Sequence, residues 1–242
     1  MTILLLAGTQ EARQIAVGLS GGDVPVLASL AGVTRQPERL PVPTRIGRFG
    51  GSDGFLKEIK LKGITSVLDA THPFANQITD RTSRICAQID LPYAQVLRPE
   101  WRPEPNDEWT DVNSATDVAA HLPTNAKVFL ATGRQTLEDY RNMNVSGALV
   151  RVIDPPTAPL PFSGGEFIIG RPPFTPQSEA ELFQKLGVTH LVVKNAGGGG
   201  GRAKLIAARR LKIPVLMIRR PQMPNVFRVT NVLDAIDWAI AQ

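Results

Sequence analysis

A single cysteine, Cys86, stands in 242 residues. It cannot close an internal disulfide, and one thiol cannot supply a zinc site alone. It falls in the helix-like run Arg81–Ile89, where a buried and inert thiol is the ordinary outcome. Long apolar runs are missing as well: nothing approaches the ~18 consecutive apolar residues of a membrane-spanning helix. No basic segment precedes an apolar one at the N-terminus, and Ile3–Ala7 is too short for a secretory signal. A cytoplasmic protein with no membrane contact is therefore expected. Basic clusters are also scarce, although the net charge is +5 and the pI near 9.7. The longest is Arg209-Arg210 with Lys212, and the other arginines are spread singly, often beside Gly or Pro. Nucleic-acid binders gather their cations in runs or interleave them with aromatics. Scattered loop arginines suit carboxylates or phosphates at one small-molecule site better, so no nucleic-acid partner is expected. No nucleophile triad and no metal-ligand cluster is visible in the sequence. Nothing in it fixes an oligomeric state.

What the chain does have is rhythm. Short apolar runs alternate with amphipathic ones along its length, the pattern of an α/β fold with mainly parallel strands. Strands are expected at Ile3–Ala7, Val24–Ser29, Thr44–Ile46, Ser66–Asp69 and Tyr93–Leu97, with helices over Glu11–Leu19, Gly54–Leu61 and Asn76–Ile89. A second series has strands at Val128–Ala131, Ala148–Ile153, His190–Lys194 and Val215–Ile218. Its helices are expected over Ala115–His121, Ser178–Leu186, Ala203–Leu211 and Val232–Ala241. Between the series, Arg98–Thr110 is rich in Pro and acidic residues and carries two tryptophans, which marks a crossing between domains. The expected architecture is two doubly wound, mainly parallel-sheet domains of Rossmann-like type, 1–98 and 99–242, with a cleft between them. Ligands of such folds sit beyond the carboxyl ends of the strands.

The unusual residues fall at those ends. The opening ILLLAGTQEAR runs from strand through a Gly-Thr turn into a helix, so free N–H groups and the positive dipole end form an anion site. Gly8 allows close backbone approach, Thr9 adds a hydroxyl, and Arg13 lies about one turn on. The turn is not G-x-G-x-x-G, so the usual dinucleotide fingerprint is absent. At the end of the second strand, an NAD site normally places an acidic residue for the ribose hydroxyl. Here Ser29 and Arg35 stand instead, with no acid until Glu38, which suits a 2′-phosphate and hence NADPH. Arg35 as an ordinary solvated loop residue is the competing reading. Gly50 and Gly51, before a Ser/Asp helix start, fit a loop lying against a flat ring or simply a tight turn. Strand Ser66–Asp69 ends in DATHPFANQ, where Pro73 holds His72 extended beside Thr71. Three roles are open to His72: proton donor, contact to an anion, or a brace for the loop.

The second series repeats the logic. LATGRQTLEDY places Thr132, Gly133 and Arg134 at a strand end suited to an anion. VKNAGGGGGRAK then sets five consecutive glycines, Gly197, Gly198, Gly199, Gly200 and Gly201, between an apolar strand and an amphipathic helix. Ordering so many glycines is entropically costly. A flexible linker rarely sits at such a place inside a domain, so a loop that wraps a ligand by its backbone is expected. Lys194 precedes the run and Arg202 follows it.

LLLAGTQEAR, DATHPFA, LATGR and KNAGGGGGRAKLIAAR, in this order, resemble the precorrin-6A reductase family over essentially the whole chain. The resemblance implies NADPH-dependent reduction of a macrocycle double bond of precorrin-6A, giving precorrin-6B, in cobalamin biosynthesis. One carbon takes hydride from the nicotinamide and its neighbour takes a proton. It implies a polycarboxylate tetrapyrrole as substrate, to which the loop arginines and basic pI are suited. On that footing Gly8, Thr9, Ser29 and Arg35 fall to the dinucleotide, with Gly50, Gly51, Thr71 and His72 beside them. Arg13, Arg98, Thr132, Gly133, Arg134, Lys194, the glycine run and Arg202 fall to the substrate. His72, Lys194 or an ordered water gives the proton. Composition alone leaves two rivals open: a reductase of a smaller anionic substrate, and a non-catalytic nucleotide sensor.

Overall fold

The computed structural model describes residues 1–32 and 38–242. In chain order the first elements are β1 (Ile3–Leu6), α1 (Gln10–Leu19), β2 (Val26–Leu30), β3 (Thr44–Ile46), α2 (Ser52–Lys62), β4 (Ser66–Asp69), α3 (Asn76–Gln88) and β5 (Tyr93–Val96). Then come β6 (Trp109–Val112), a 3₁₀ helix Thr116–His121, β7 (Lys127–Leu130), a second 3₁₀ helix Arg134–Tyr140, β8 (Gly147–Val152) and β9 (Gly165–Ile169). The chain closes with α4 (Pro176–Leu186), β10 (His190–Lys194), α5 (Arg202–Leu211), β11 (Val215–Ile218), β12 (Arg228–Val229) and α6 (Val232–Ile240).

Two compact units result: Met1–Pro99 with Pro221–Gln242, and Glu100–Arg220. Each holds one six-stranded sheet, in the orders β12-β5-β4-β1-β2-β3 and β6-β11-β10-β7-β8-β9. Among the described residues every strand pairing is parallel. Both orders read 3-2-1-4-5-6 in the doubly wound manner, with the sixth place filled unconventionally. The first unit takes its sixth strand, β12, from the end of the chain, and the second takes β6 from the crossing segment.

This corrects the division at 98/99 that the sequence pattern suggests. The break falls one residue later, and residues 221–242 return to the first unit. The physical reason is the apolar face of α1. Ala12, Ile15, Ala16 and Leu19 pack with Ile3 and Leu5 on one side and with Ala235 and Ala239 of α6 on the other. Approach is so close that a Cβ on Gly18 would stand 2.3 Å from Ile236 Cδ1.

In the first unit both faces of β1 are buried, which is why ILLL is continuously apolar rather than alternating. Ile3 and Leu5 face α1 and α6; Leu4 and Leu6 face Phe55 and Ile59 of α2 and Ile85 and Cys86 of α3. Cys86 is fully buried, and burial, with Asp69 adding to it, pushes its thiol up to about 12. It is an inert core residue. In the second unit Phe129, Leu149, Leu191, Val193, Val215 and Met217 meet Ala180 and Phe183 of α4 and Leu205, Ala207 and Ala208 of α5. Thr175 starts α4 with a reciprocal cap to Ser178, and Pro176 occupies the first turn, where its missing N–H costs nothing.

Three strands lie beyond the expected ones: β6, β9 and β12. All are edge strands. The expected helix Ala115–His121 is a 3₁₀ helix from Thr116.

Candidate active site

In each sheet the strand order reverses beside the central strand, opening a crevice at the carboxyl ends of β1 and β4 in one unit and of β7 and β10 in the other. Most of the sequence motifs fall on those four ends, with Ser29 at the end of β2 and Gly50 and Gly51 beyond β3.

At the first, Gly8 has φ +132°, a backbone conformation disfavoured for other residues, and a Cβ there would meet nothing within 4 Å. Thr9 is the N-cap of α1. Its Oγ1 accepts the Ala12 N–H at 3.1 Å and donates to the Ala70 carbonyl at 2.7 Å. The hydroxyl thus ties the β1 turn to the β4 turn rather than standing ready for a ligand. Arg13 pairs with Glu38 and reaches the Arg39 carbonyl at 3.5 Å. Arg98 donates to Glu11 Oε2 at 2.6 Å, anchoring it against the first turn of α1.

The β4 end is organised by Asp69, which is 1% exposed. Its carboxylate accepts from Thr71 N–H (3.0 Å), Thr71 Oγ1 (2.7 Å), Thr79 Oγ1 (2.7 Å) and Tyr93 Oη (2.8 Å). Burial and the Asp69 charge raise the Tyr93 phenol, which stays a neutral donor. Four donors on one buried carboxylate fix the Thr71–His72 turn. His72 is exposed, with Nδ1 accepting the Phe74 N–H at 3.2 Å, so in the neutral ring the proton sits on Nε2.

Ser29 is buried at the end of β2. Arg35 lies outside the described residues. In the described structure the cation on Ser29 is Arg45 of β3, whose Nη1 donates to Ser29 Oγ and to the Gly47 carbonyl, both at 2.9 Å. The Arg45 guanidinium also stacks 4.1 Å from the Phe49 ring centroid and lies 3.6 Å from Glu58. Gly50 (φ +77°) and Gly51 (φ +99°) follow, Gly51 being the N-cap of α2.

In the second unit Thr132 is buried and accepts from Tyr140 Oη at 3.1 Å. Gly133 (φ +75°) precedes the 3₁₀ helix that begins at Arg134, which is exposed. Across the crevice Lys194 ends β10. Burial lowers the proton affinity of its ammonium, and the Asp139 carboxylate opposes that.

The glycine run is held at both ends. Arg220 Nε and Nη2 donate to the carbonyls of Asn195 (2.9 Å) and Ala196 (3.0 Å). Trp101 and Asn195 exchange two hydrogen bonds at 2.9 and 3.1 Å, and Trp101 Nε1–H donates to the Gly198 carbonyl at 2.7 Å. Lys204 Nζ donates to the Gly201 carbonyl at 3.0 Å, and Arg202 pairs with Glu104. Gly199 and Gly200 remain exposed. Side chains from outside the run thus contact its backbone and both of its flanks.

Arg45, Asp139, Trp101, Asn195 and Arg220 escaped the sequence reading. Only Trp101 carried a signal, as a tryptophan in a polar, irregular segment with no apolar pattern to bury it.

Two sheets of one order, each with glycine-bearing turns at its switch point, define a two-unit enzyme on the Rossmann plan. The chain belongs to the family described as Precorrin-6x reductase CbiJ/CobK, whose model matches residues 2–239, and it is an oxidoreductase. It is 42% identical over 223 residues to the precorrin-6A reductase of Rhodobacter capsulatus, covering 92% of this chain and 89% of that one. To the precorrin-6A reductase of Rhodococcus erythropolis it is 41% identical over 242 residues, covering 98% and 96%. The solved structure of CobK precorrin-6A reductase superposes with a TM-score of 0.93 at 38% identity, covering 100% of this chain and 96% of that one. No helix of the described residues is long and apolar enough to cross a membrane.

Proposed function

We propose that this chain reduces a macrocycle double bond of precorrin-6A to give precorrin-6B, drawing on NADPH, in the cytoplasmic part of cobalamin biosynthesis. The observation that carries the reading is the family match across residues 2–239, on loops that all fall at strand carboxyl ends.

The residues of the first unit fit a dinucleotide. The β1–α1 turn is open on the side a Gly8 Cβ would occupy, and the first N–H groups of α1 follow it. Gly8 would take the pyrophosphate, and Thr9 keeps the turn in shape through its cap. Ser29, with Arg35 nearby in sequence, would take the 2′-phosphate, and Arg45 orients the Ser29 hydroxyl. Gly50, Gly51, Thr71 and His72 line the neighbouring strand ends. Bound NADPH supplies hydride to one macrocycle carbon; the protein's task is alignment and delivery of a proton to the adjacent carbon.

Lys194 is suited to that delivery. Burial weakens its hold on the proton, bringing it nearer the range where a general acid works. His72, with Nε2 carrying the neutral ring's proton, is the other donor within the set. For the polycarboxylate substrate the second unit offers Thr132, Gly133, Arg134, the Gly197–Gly201 loop and Arg202. Arg13 and Arg98 lie in the first unit. Arg13, Arg98 and Arg202 each hold a carboxylate of the protein, which orients the guanidinium.

The test is an anaerobic assay with NADPH and precorrin-6A, following nicotinamide absorbance and the macrocycle spectrum together. Coupled loss of NADPH and formation of the dihydro macrocycle is expected, with NADH much poorer. NADPH binding with neither spectrum changing would remove the reductase reading in favour of nucleotide binding alone.

A further inference from the structure

The five glycines do different work, and one side chain outside the run explains why. Gly197 and Gly198 have φ of +67° and +71° and turn the chain away from β10. Gly201 is constrained by space: a Cβ there would stand 2.7 Å from Trp101 Cη2 and 3.0 Å from Cζ2. The indole therefore fills the hollow over Gly201 while its Nε1–H holds the Gly198 carbonyl at 2.7 Å. The Trp101 backbone is itself pinned by the reciprocal pair with Asn195, the residue two before the run. Further on, Arg209 binds Glu104 at 2.7 Å and Asp107 at 2.8 Å, fastening the segment that carries Trp101 onto α5. Only Gly199 and Gly200 are left exposed, and a Cβ on Gly199 would meet nothing within 4 Å.

Ordering a backbone residue costs conformational entropy, and glycine loses the most. Were the run loose, that cost would fall on each substrate-binding event. With the loop shaped during folding, the ligand meets a surface already formed. We infer that Trp101 is a positioning residue for the reductase reaction: through the Gly198 carbonyl and the Gly201 hollow it holds the glycine loop in the shape that receives the substrate. The inference rests on the reading that this loop takes the macrocycle. Trp101 touches the loop and acts through it.

The experiment uses the full chain in five forms: wild type, Trp101→Phe, Gly201→Ala, Trp101→Ala, and Trp101→Ala with Gly201→Ala. Trp101→Phe keeps a ring and loses the Nε1–H. One net hydrogen bond corresponds to about a two- to twelvefold effect. Amide exchange over Gly199–Arg202 should quicken by that factor, and KM for precorrin-6A should rise comparably. NADPH affinity and the melting temperature should hardly move. Gly201→Ala should raise KM alone but add nothing on top of Trp101→Ala, because the clash needs the indole; this non-additivity is the signature of contact. Unchanged loop exchange in Trp101→Phe, or additive effects of the two substitutions, overturns the clamp. Faster exchange with unaltered kinetics would overturn the positioning role by detaching the loop from the substrate, leaving the reductase assay itself positive. If Trp101→Ala loses its cooperative melt, Trp101→Phe and Gly201→Ala decide the matter.

Discussion

Lys194 carries two pulls of opposite sign: burial, which disfavours the ammonium, and the Asp139 carboxylate, which favours it. Burial is the larger, so the group gives up its proton below the ordinary lysine value of 10.5. If the ammonium is the proton donor, it must be charged to act. Turnover is then present at lower pH and lost as pH rises through the lowered value. Lys194→Arg keeps the charge but not a transferable proton, and Lys194→Met removes both. Loss of a general acid typically costs about 10²–10⁴ in rate. Both variants should therefore fall by that order in kcat and lose the alkaline limb, with NADPH affinity kept. A Lys194→Arg enzyme within twofold of wild type, with the limb intact, would pass the role to His72 or to water. At this scale the sequence was informative about position: Gly8, Lys194 and the glycine run stand at or just beyond strand carboxyl ends, where the apolar pattern puts them. It was silent on Arg45 and Asp139, because their partners, Ser29 and Lys194, are brought to them by sheet order and not by proximity in sequence.

The elements of the second unit are joined by a charge pair that the apolar pattern conceals. Arg151 of β8 donates to Glu179 of α4 at 3.0 Å, with the side chains 10% and 1% exposed. The guanidinium lies 4.2 Å from the Phe174 ring centroid and 5.0 Å from that of Phe129. Lys204 of α5 adds a second cation: burial lowers its pKa, Glu179 raises it and Arg151 lowers it. Glu179 is thus a carboxylate between two positive groups, the three side chains coming from three elements. Glu179→Gln leaves those cations facing each other and should cost about 3 kcal/mol in a urea melt, as broken buried pairs do. Replacing the pair together, Arg151→Met with Glu179→Leu, should recover most of the loss. If the double variant is as unstable as the single, shape and not charge sets the cost. Elements were legible where both faces are buried: ILLL and the LVV at the centre of HLVVK declare themselves by unbroken apolar runs. The strands that went unread, β6, β9 and β12, sit at sheet edges, where β9 has no buried residue and β12 is two residues long. Such strands are specified by the neighbour that pairs with them, and periodicity has too few residues to register.

At the scale of the whole molecule, chain order and unit order part company. The second unit, Glu100–Arg220, is contiguous and owns all six of its strands. The first is closed only when the last residues return: β12 pairs Arg228 and Val229 against Gln95 and Val96, and α6 lays Ala235 and Ala239 on α1. Val232, Ile236 and Trp238 pack on the same cluster. Burying a large apolar side chain is worth about 1.5–3 kcal/mol. The returning segment therefore contributes several kcal/mol to a unit whose total stability, like that of most domains, is about 5–15 kcal/mol. It follows that a fragment of residues 100–220 should fold alone and melt cooperatively. A fragment of residues 1–99 should not, because the α1 face and the free edge of β5 are left uncovered. Joining residues 221–242 to its C-terminus through a short flexible linker should restore cooperative melting and nucleotide binding together. Circular dichroism melts of the three fragments decide it: a sharp transition in 1–99 alone would mean that the returning strand and helix are an ornament of the first unit and not part of its core.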